Sequence, residues 1–354
     1  MVEQLQIPNY GPITLFGSGE TLPSSGKTYE YIANLLDHEP VISIIETPAG
    51  FQPNSEIVAR KVAGYISNRL QNYHPTVNLI AARKKDGEFS ANNESLLTPM
   101  LTSNWIFLGP GSPTYAIRTL SDSMLLNYLY ALHASGCALT FSSAVVLAIS
   151  EFTLPVYEIY KVGEELHWAK GLNFLNQFGL GLVFIPHWNN TSGGAELDTS
   201  RCFMGIDRFK ELRTQLPNDL PIIGIDEQTS LTMVFENEVK WKVEGIGNIT
   251  ILIGSKEMSL TAGEYEPESF GLLFQRPKNI PDQLKNTIEK IQQNKNRNIY
   301  KTPPDEVLRL AEKRQTARRS KDWQTSDALR NQILALGWEI NDTSDGYELN
   351  EMKQ

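Results

Sequence analysis

Gly136-Cys-Ala-Leu-Thr-Phe-Ser-Ser-Ala-Val-Val-Leu-Ala-Ile-Ser150 runs from a small apolar strand straight into an apolar helical stretch, with only Ser142-Ser143-Ala144 between them. A serine on such a turn presents its hydroxyl beside a helix N-terminus, which is how a nucleophile elbow reads. The turn is crowded, and glycine is usual two residues either side of the serine. Here those positions hold Phe141 and Val145. By itself the stretch also fits a buried strand–helix junction carrying two incidental serines, so its surroundings decide.

Up to residue 274, short β-branched runs alternate with helical patterns, the mark of βαβ units around a largely parallel sheet. Strands are expected at 13–16, 41–46, 77–81, 105–108, 138–141, 183–186, 222–225 and 232–234, with helices at 55–72 and 122–134. Several of the runs are apolar throughout, as strands covered on both faces should be. The fold class expected is therefore α/β, a doubly wound and largely parallel sheet. In such a sheet the chemistry gathers at the carboxyl ends of the strands. Four of these ends carry glycine or small residues: Gly17-Ser18-Gly19-Glu20, Thr47-Pro48-Ala49-Gly50, Gly109-Pro110-Gly111-Ser112, and the serine turn itself. They let backbone amides approach a ligand closely. Neither a P-loop nor a full dinucleotide-binding glycine pattern is present.

After residue 274 the composition shifts to Lys, Asn and Gln with scattered prolines. Three segments are expected: a main domain at 1–274, a basic helical linker at 275–303, and a small module at 304–354. Helices are predicted at 281–293, 305–319 and 323–336, followed by a hairpin pairing 338–341 with 347–350. Residues 275–321 hold thirteen basic and five acidic residues, a local charge of +8 in a chain of net charge −9. An acidic body thus carries a basic neck, which suits nucleic acid at the neck or a solvated helical linker.

The 41% hydrophobic share is that of an ordinary soluble globular protein. No stretch approaches a membrane span, and the first residues lack a signal-peptide pattern, so a cytoplasmic location and no membrane partner are the default expectations. Two cysteines, Cys137 and Cys202, give no disulfide framework, and no histidine pair stands at ligand spacing. No metal and no cofactor is expected.

A serine nucleophile needs a base and an orienting acid. Of the five histidines, His187 stands out: it follows the apolar run Leu182-Val-Phe-Ile-Pro186 and opens a loop at the expected catalytic edge. In α/β enzymes with the order serine, acid, histidine, the acid lies between the other two. Glu158, in the aromatic setting Pro155-Val-Tyr-Glu-Ile-Tyr-Lys161, is the candidate there, with a salt bridge to Lys161 as its structural alternative.

These pieces resemble the peptidase E and cyanophycinase family of serine peptidases, within the class I glutamine amidotransferase-like (flavodoxin-like) fold, over residues 12–252. The matching segments are Gly17-Ser-Gly-Glu, Phe107-Leu-Gly-Pro-Gly-Ser-Pro113, Ser143-Ala144, Pro186-His187 and Gly224-Ile-Asp-Glu-Gln-Thr-Ser-Leu231. The elbow departs from the family pattern, since both glycines are missing. The resemblance implies Ser143 as nucleophile, His187 as general base and Glu158 as its orienting acid. It also implies oxyanion or substrate contacts from Gly111, Ala144, Gly19 and Asn189, and a small peptide or amide as substrate.

A second resemblance covers the tail. Residues 307–330, with Arg314, Ala317, Arg318, Lys321, Asp322, Trp323, Asp327, Leu329 and Arg330 on the pattern, and Gly337-Trp-Glu-Ile-Asn-Asp-Thr343 beyond, look like the C-terminal element of cysteinyl-tRNA synthetases. This implies tRNA or another RNA as partner, with Arg314, Arg318, Arg319 and Lys321 on phosphates and Trp323 as a stacking platform. The alternative packs Trp323 in the module core and leaves the basic residues solvated. Two functions are in competition: a serine hydrolase, or a non-catalytic protein that keeps the pocket and binds RNA through its tail. A homodimer is compatible with either.

Overall fold

The computed structural model describes residues 8–236, 238–277, 280–299, 303–343 and 346–351. They form two compact units, Met1–Ile291 and Gln292–Gln354.

In the first unit five strands run parallel: β1 (Ile13–Phe16), β2 (Val41–Ile45), β3 (Thr76–Ile80), β4 (Trp105–Leu108) and β5 (Ala138–Ser142). The intervening helices are α1 (Gly26–Asn34), α2 (Ser55–Arg69), α3 (Glu94–Leu97), α4 (Pro113–Leu120) and α5 (Met124–Ala134), and α6 (Ala144–Ala148) follows β5. Successive side chains on each strand point to opposite faces, and both faces are covered. Leu15, Ile106, Leu108, Leu139 and Phe141 share a core with Leu125, Leu129 and Leu132 of α5 and with Val145 and Val146 of α6. Phe16, Ile42, Ile44 and Phe107 meet Tyr29 and Ile32 of α1 and Val62 and Ile66 of α2 on the other side. The sheet is α/β and doubly wound, as the apolar runs required.

A small antiparallel pair, β6 (Phe152–Thr153) and β7 (Ala169–Lys170), precedes β8 (Val183–Ile185), α7 (Gly205–Thr214) and β9 (Ile222–Ile225). A meander follows: β10 (Thr229–Phe235), β11 (Val239–Gly245), β12 (Ile249–Ile253), β13 (Lys256–Leu260) and β14 (Gly263–Tyr265). The large sheet has the order β14-β11-β10-β1-β5-β4-β2-β3, with antiparallel pairing from β14 through β11 and β10 to β1, and a second sheet has the order β13-β12-β9-β8. The sequence reading places strands at 183–186, 222–225 and 232–234, where β8, β9 and β10 stand, and goes no further, so it misses β11 to β14 and the second sheet that β12 and β13 form with β8 and β9. The strand Val-Lys-Trp-Lys-Val-Glu-Gly245 alternates apolar and charged residues because only one of its faces is buried.

Chain neighbours bring the strand ends together. Parallel pairing sets Phe16 against Ser142 and Phe141 against Leu108, so the loops after β1, β5 and β4 emerge side by side. In the second sheet Ile185 pairs with Gly224, and the loops after β8 and β9 emerge together. The amide of His187 donates to the carbonyl of Gly17 at 3.2 Å, tying the two edges to each other.

After α8 (Asp282–Ile299), whose length spans the division between the units, the second unit pairs α9 (Asp305–Arg319) with α10 (Trp323–Ala335) and closes on the antiparallel hairpin β15 (Trp338–Thr343) and β16 (Gly346–Glu351). The expected hairpin turn at Ser344 and Asp345 lies outside the described residues. Val307, Ala311, Ile333, Trp338 and Ile340 form the core of this module. None of the helices among the described residues is long and apolar enough to cross a membrane.

Candidate active site

Ser143 sits between β5 and α6 at φ 53° and ψ −109°, a backbone conformation that non-glycine residues seldom take. Its amide donates to the carbonyl of Phe16 at 3.1 Å, which anchors the turn to the adjacent strand. The turn is made without flanking glycines because Phe141 and Val145 direct their side chains into the core, where each is almost wholly buried. Phe141 meets Phe174 edge-on at 5.8 Å.

The Ser143 hydroxyl lies 2.8 Å from Nε2 of His187, and Nδ1 of the same ring lies 2.7 Å from Oε1 of Glu227. Sequence reasoning paired His187 with Glu158, and the structure corrects this. Glu158 accepts from the hydroxyl of Thr114 instead, while Lys161, its expected salt-bridge partner, places its ammonium over the Tyr160 ring. Glu227 was missed as the partner of His187 because that partner was sought between serine and histidine in chain order. Glu227 follows both, and its signal was the segment Gly224-Ile-Asp-Glu.

That segment is shaped for its task. A Cβ on Gly224 would fall 2.3 Å from the ring of Trp188, so only glycine lets the indole lie flat against β9. Arg201 stacks on Trp188 at 4.0 Å, and its guanidinium donates to the Trp188 carbonyl. The loop 187–190 is thereby held against 226–227. Asn190 donates to Oε1 of Glu227 at 2.8 Å, and Asn189 accepts from the Glu227 amide at 2.8 Å. Asn189, expected to contact substrate, thus has its side-chain oxygen committed to the loop. The hydrogen bond from His187 holds the Glu227 carboxyl below its ordinary range, against the opposing effect of burial. Glu227 is therefore anionic at neutral pH and fixes His187 with a proton on Nδ1, leaving Nε2 to accept from Ser143.

On the opposite side, Gly111 packs on Pro48: a Cβ there would lie 1.9 Å from the Pro48 carbonyl oxygen, and the Ser112 amide donates to that oxygen at 2.9 Å. Among the described residues, the amides of Gly111 and Ala144 donate to no backbone carbonyl. The Ala144 amide is one of the orphan donors of a helix start, directly after the serine. Gly19 turns at φ 75° beside Gln228, next to Glu20, whose carboxylate accepts from Ser142. Cys137 and Cys202 are buried thiols. No cluster of three metal-ligating side chains occurs among the described residues.

In the C-terminal module, Arg314 is not available for phosphate. It is 1% exposed and forks onto both carboxylate oxygens of Asp342 at 2.8 and 3.1 Å. Its position is buried because it faces the hairpin from α9. Trp323 is 55% exposed, with Arg318 over its ring at 5.5 Å, so the indole is not a core residue. Arg319 and Lys321 are exposed.

No protein-family model matches the chain. A solved peptidase from an acI-B1 Actinobacterium aligns over 74% of this chain and 98% of its own, with a TM-score of 0.57 and 23% identity. A putative peptidase E protein from Listeria monocytogenes aligns over 67% and 100%, with a TM-score of 0.44 and 14% identity. The α/β body therefore has the fold of the actinobacterial peptidase. In its C-terminal region the chain is 45% identical over 51 residues to the cysteine–tRNA ligase of Methanosarcina mazei and 51% identical over 51 residues to that of Opitutus terrae. The matched segment is 14% of this chain, and the chain spans only 11% of the length of these ligases.

Proposed function

We propose that the α/β body is a serine hydrolase of small peptides or amides, with Ser143, His187 and Glu227 as its triad. The observation that carries this reading is the unbroken chain Ser143 Oγ–His187 Nε2–Nδ1–Glu227 Oε1, with links of 2.8 and 2.7 Å, starting from a serine in a strained turn. In the reaction, Ser143 Oγ attacks the carbonyl carbon as Nε2 takes its proton. The negative charge on the carbonyl oxygen is met by the amides of Gly111 and Ala144. Glu227 stabilises the imidazolium, which returns the proton to the departing amine. Water then repeats the sequence on the serine ester and releases the acid.

Labelling with a fluorophosphonate probe tests this. The expected result is stoichiometric modification of Ser143 that Ser143→Ala and His187→Ala both abolish. A folded protein that takes no label would support a binding protein that keeps the pocket without the chemistry.

A second reading concerns the tail, and the identity to cysteine–tRNA ligases favours it. We propose that the module binds tRNA, with Arg319 and Lys321 on phosphates and the exposed Trp323, backed by Arg318, as a stacking surface. Arg314 serves the module's interior. Retention of tRNA on a filter, measured across a salt series for wild type and Trp323→Ala, tests it. Equal binding by the two would remove Trp323 from the surface.

A further inference from the structure

Glu158, displaced from the triad, has a different employment. Its Oε1 accepts from Thr114 Oγ1 at 2.5 Å. Thr114 has one hydroxyl proton, so the 3.0 Å contact between Thr114 and Ser112 is donated by Ser112. The Ser112 oxygen then accepts from the Tyr115 amide, which caps α4. The direction of every link is fixed: Ser112 to Thr114 to Glu158. Ser112 directly follows Gly111, and its own amide is held by the Pro48 carbonyl.

The turn that carries Glu158 reaches toward the base as well. Tyr160 lies on the ring of Phe203 at 5.4 Å, and Phe203 lies 5.8 Å from the ring of His187. Phe203 belongs to a run with Arg201 and Cys202 in which three successive non-glycine residues take positive φ, and the Cys202 amide donates to the His187 carbonyl. Residues 158–162 thus sit between the Gly111 loop and the histidine. Oε2 of Glu158 is buried without a partner among the described residues, so its fixed contact is the one to Thr114.

We infer that Glu158 is a positioning residue for the oxyanion side of the site: through Thr114 and Ser112 it sets the orientation of the Gly111 amide. The inference rests on the hydrolase reading. It assigns Glu158 to stabilisation of the transition state and separates it from His187.

The test uses the full chain and a fluorophosphonate probe, whose phosphoryl oxygen occupies the position of the oxyanion. The maximal labelling rate and the half-saturating probe concentration are measured across pH for wild type, Glu158→Ala, Glu158→Gln, Thr114→Val and the double variant Glu158→Ala/Thr114→Val. Glu158→Ala and Thr114→Val are each expected to lower the maximal rate by about 10- to 100-fold with little change in half-saturation. The pH midpoint stays at the wild-type value, and the double variant is no slower than either single one, because both break one relay. Glu158→Gln keeps an oxygen acceptor for Thr114 and recovers most of the loss. A shifted midpoint, a Thr114→Val protein that labels at the wild-type rate, or multiplicative losses in the double variant would overturn the inference. If Glu158→Ala fails to fold, Thr114→Val carries the test. A wild type that takes no label refutes the hydrolase reading itself, and the inference falls with it.

Discussion

Ser143 holds a left-handed backbone conformation between two bulky core residues, and the glycines usual at such a turn are absent. Phe141 and Val145 are tolerated because the core takes up both side chains, each almost wholly buried. Restoring glycine would therefore harm the protein. Val145→Gly is expected to cost about 2–4 kcal/mol in urea unfolding, from lost burial and a cavity in the core, while the labelled serine remains reactive. Glu227 carries the opposite expectation. Glu227→Gln preserves its volume but removes the negative charge facing Nδ1, so the labelling rate should fall by roughly 100- to 10,000-fold with the melting temperature little changed. A rate near that of wild type would show that His187 needs no anion behind it.

Within each unit, elements are held together by buried polar contacts, and the cost of one of these depends on pH. His133, on α5, is fully buried among Tyr10, Phe178 and Phe235, with Nε2 on the Gly11 carbonyl at 2.8 Å. Burial drives its pKa down to about 3. The unfolded chain takes up a proton near the ordinary histidine value, whereas the folded chain does not until about 3, so this group removes stability as pH falls through that window. The loss is about 1.4 kcal/mol per pH unit at most. Between pH 6.5 and 5 the wild type should lose about 1.6 kcal/mol more than His133→Leu in urea melts; parallel profiles would refute the assignment. In the C-terminal module the equivalent contact is Arg314 with Asp342, which joins α9 to β15. Asp342→Ala leaves a buried guanidinium without its anion, and faster amide exchange across β15 is the expected outcome. Trp323→Ala, at an exposed site, should change stability by no more than about 0.5 kcal/mol.

At the scale of the whole molecule, an acidic α/β body is followed by the basic stretch 275–321, which runs into a C-terminal module with its own core. Affinity of the full chain for tRNA should fall linearly with the logarithm of salt, and Arg319→Ala/Lys321→Ala should reduce that slope by about two, in proportion to the phosphates released. An unchanged slope would mean that other cations carry the contact. Much of this organisation was readable from residue order. Apolar runs of strand length placed the five parallel strands within a residue or two, and Asp305–Arg319 emerged as a helix with the bounds predicted. Glycine-rich strand ends pointed to the edge where Ser143 and His187 meet. The module was legible from its pattern alone. These are local properties, since the period of burial and the residues that end an element are written where the element stands. The pairing of His187 with Glu227, the second sheet, the hydroxyl relay from Ser112 to Glu158 and the burial of Arg314 were decided by tertiary structure. Each depends on which distant segments lie side by side: β8 beside β9 in the register Ile185 to Gly224, the turn of Glu158 against the start of α4, the hairpin against α9. Side-chain periodicity reports that a residue is buried, but only the pairing of remote strands and helices determines what it is buried against.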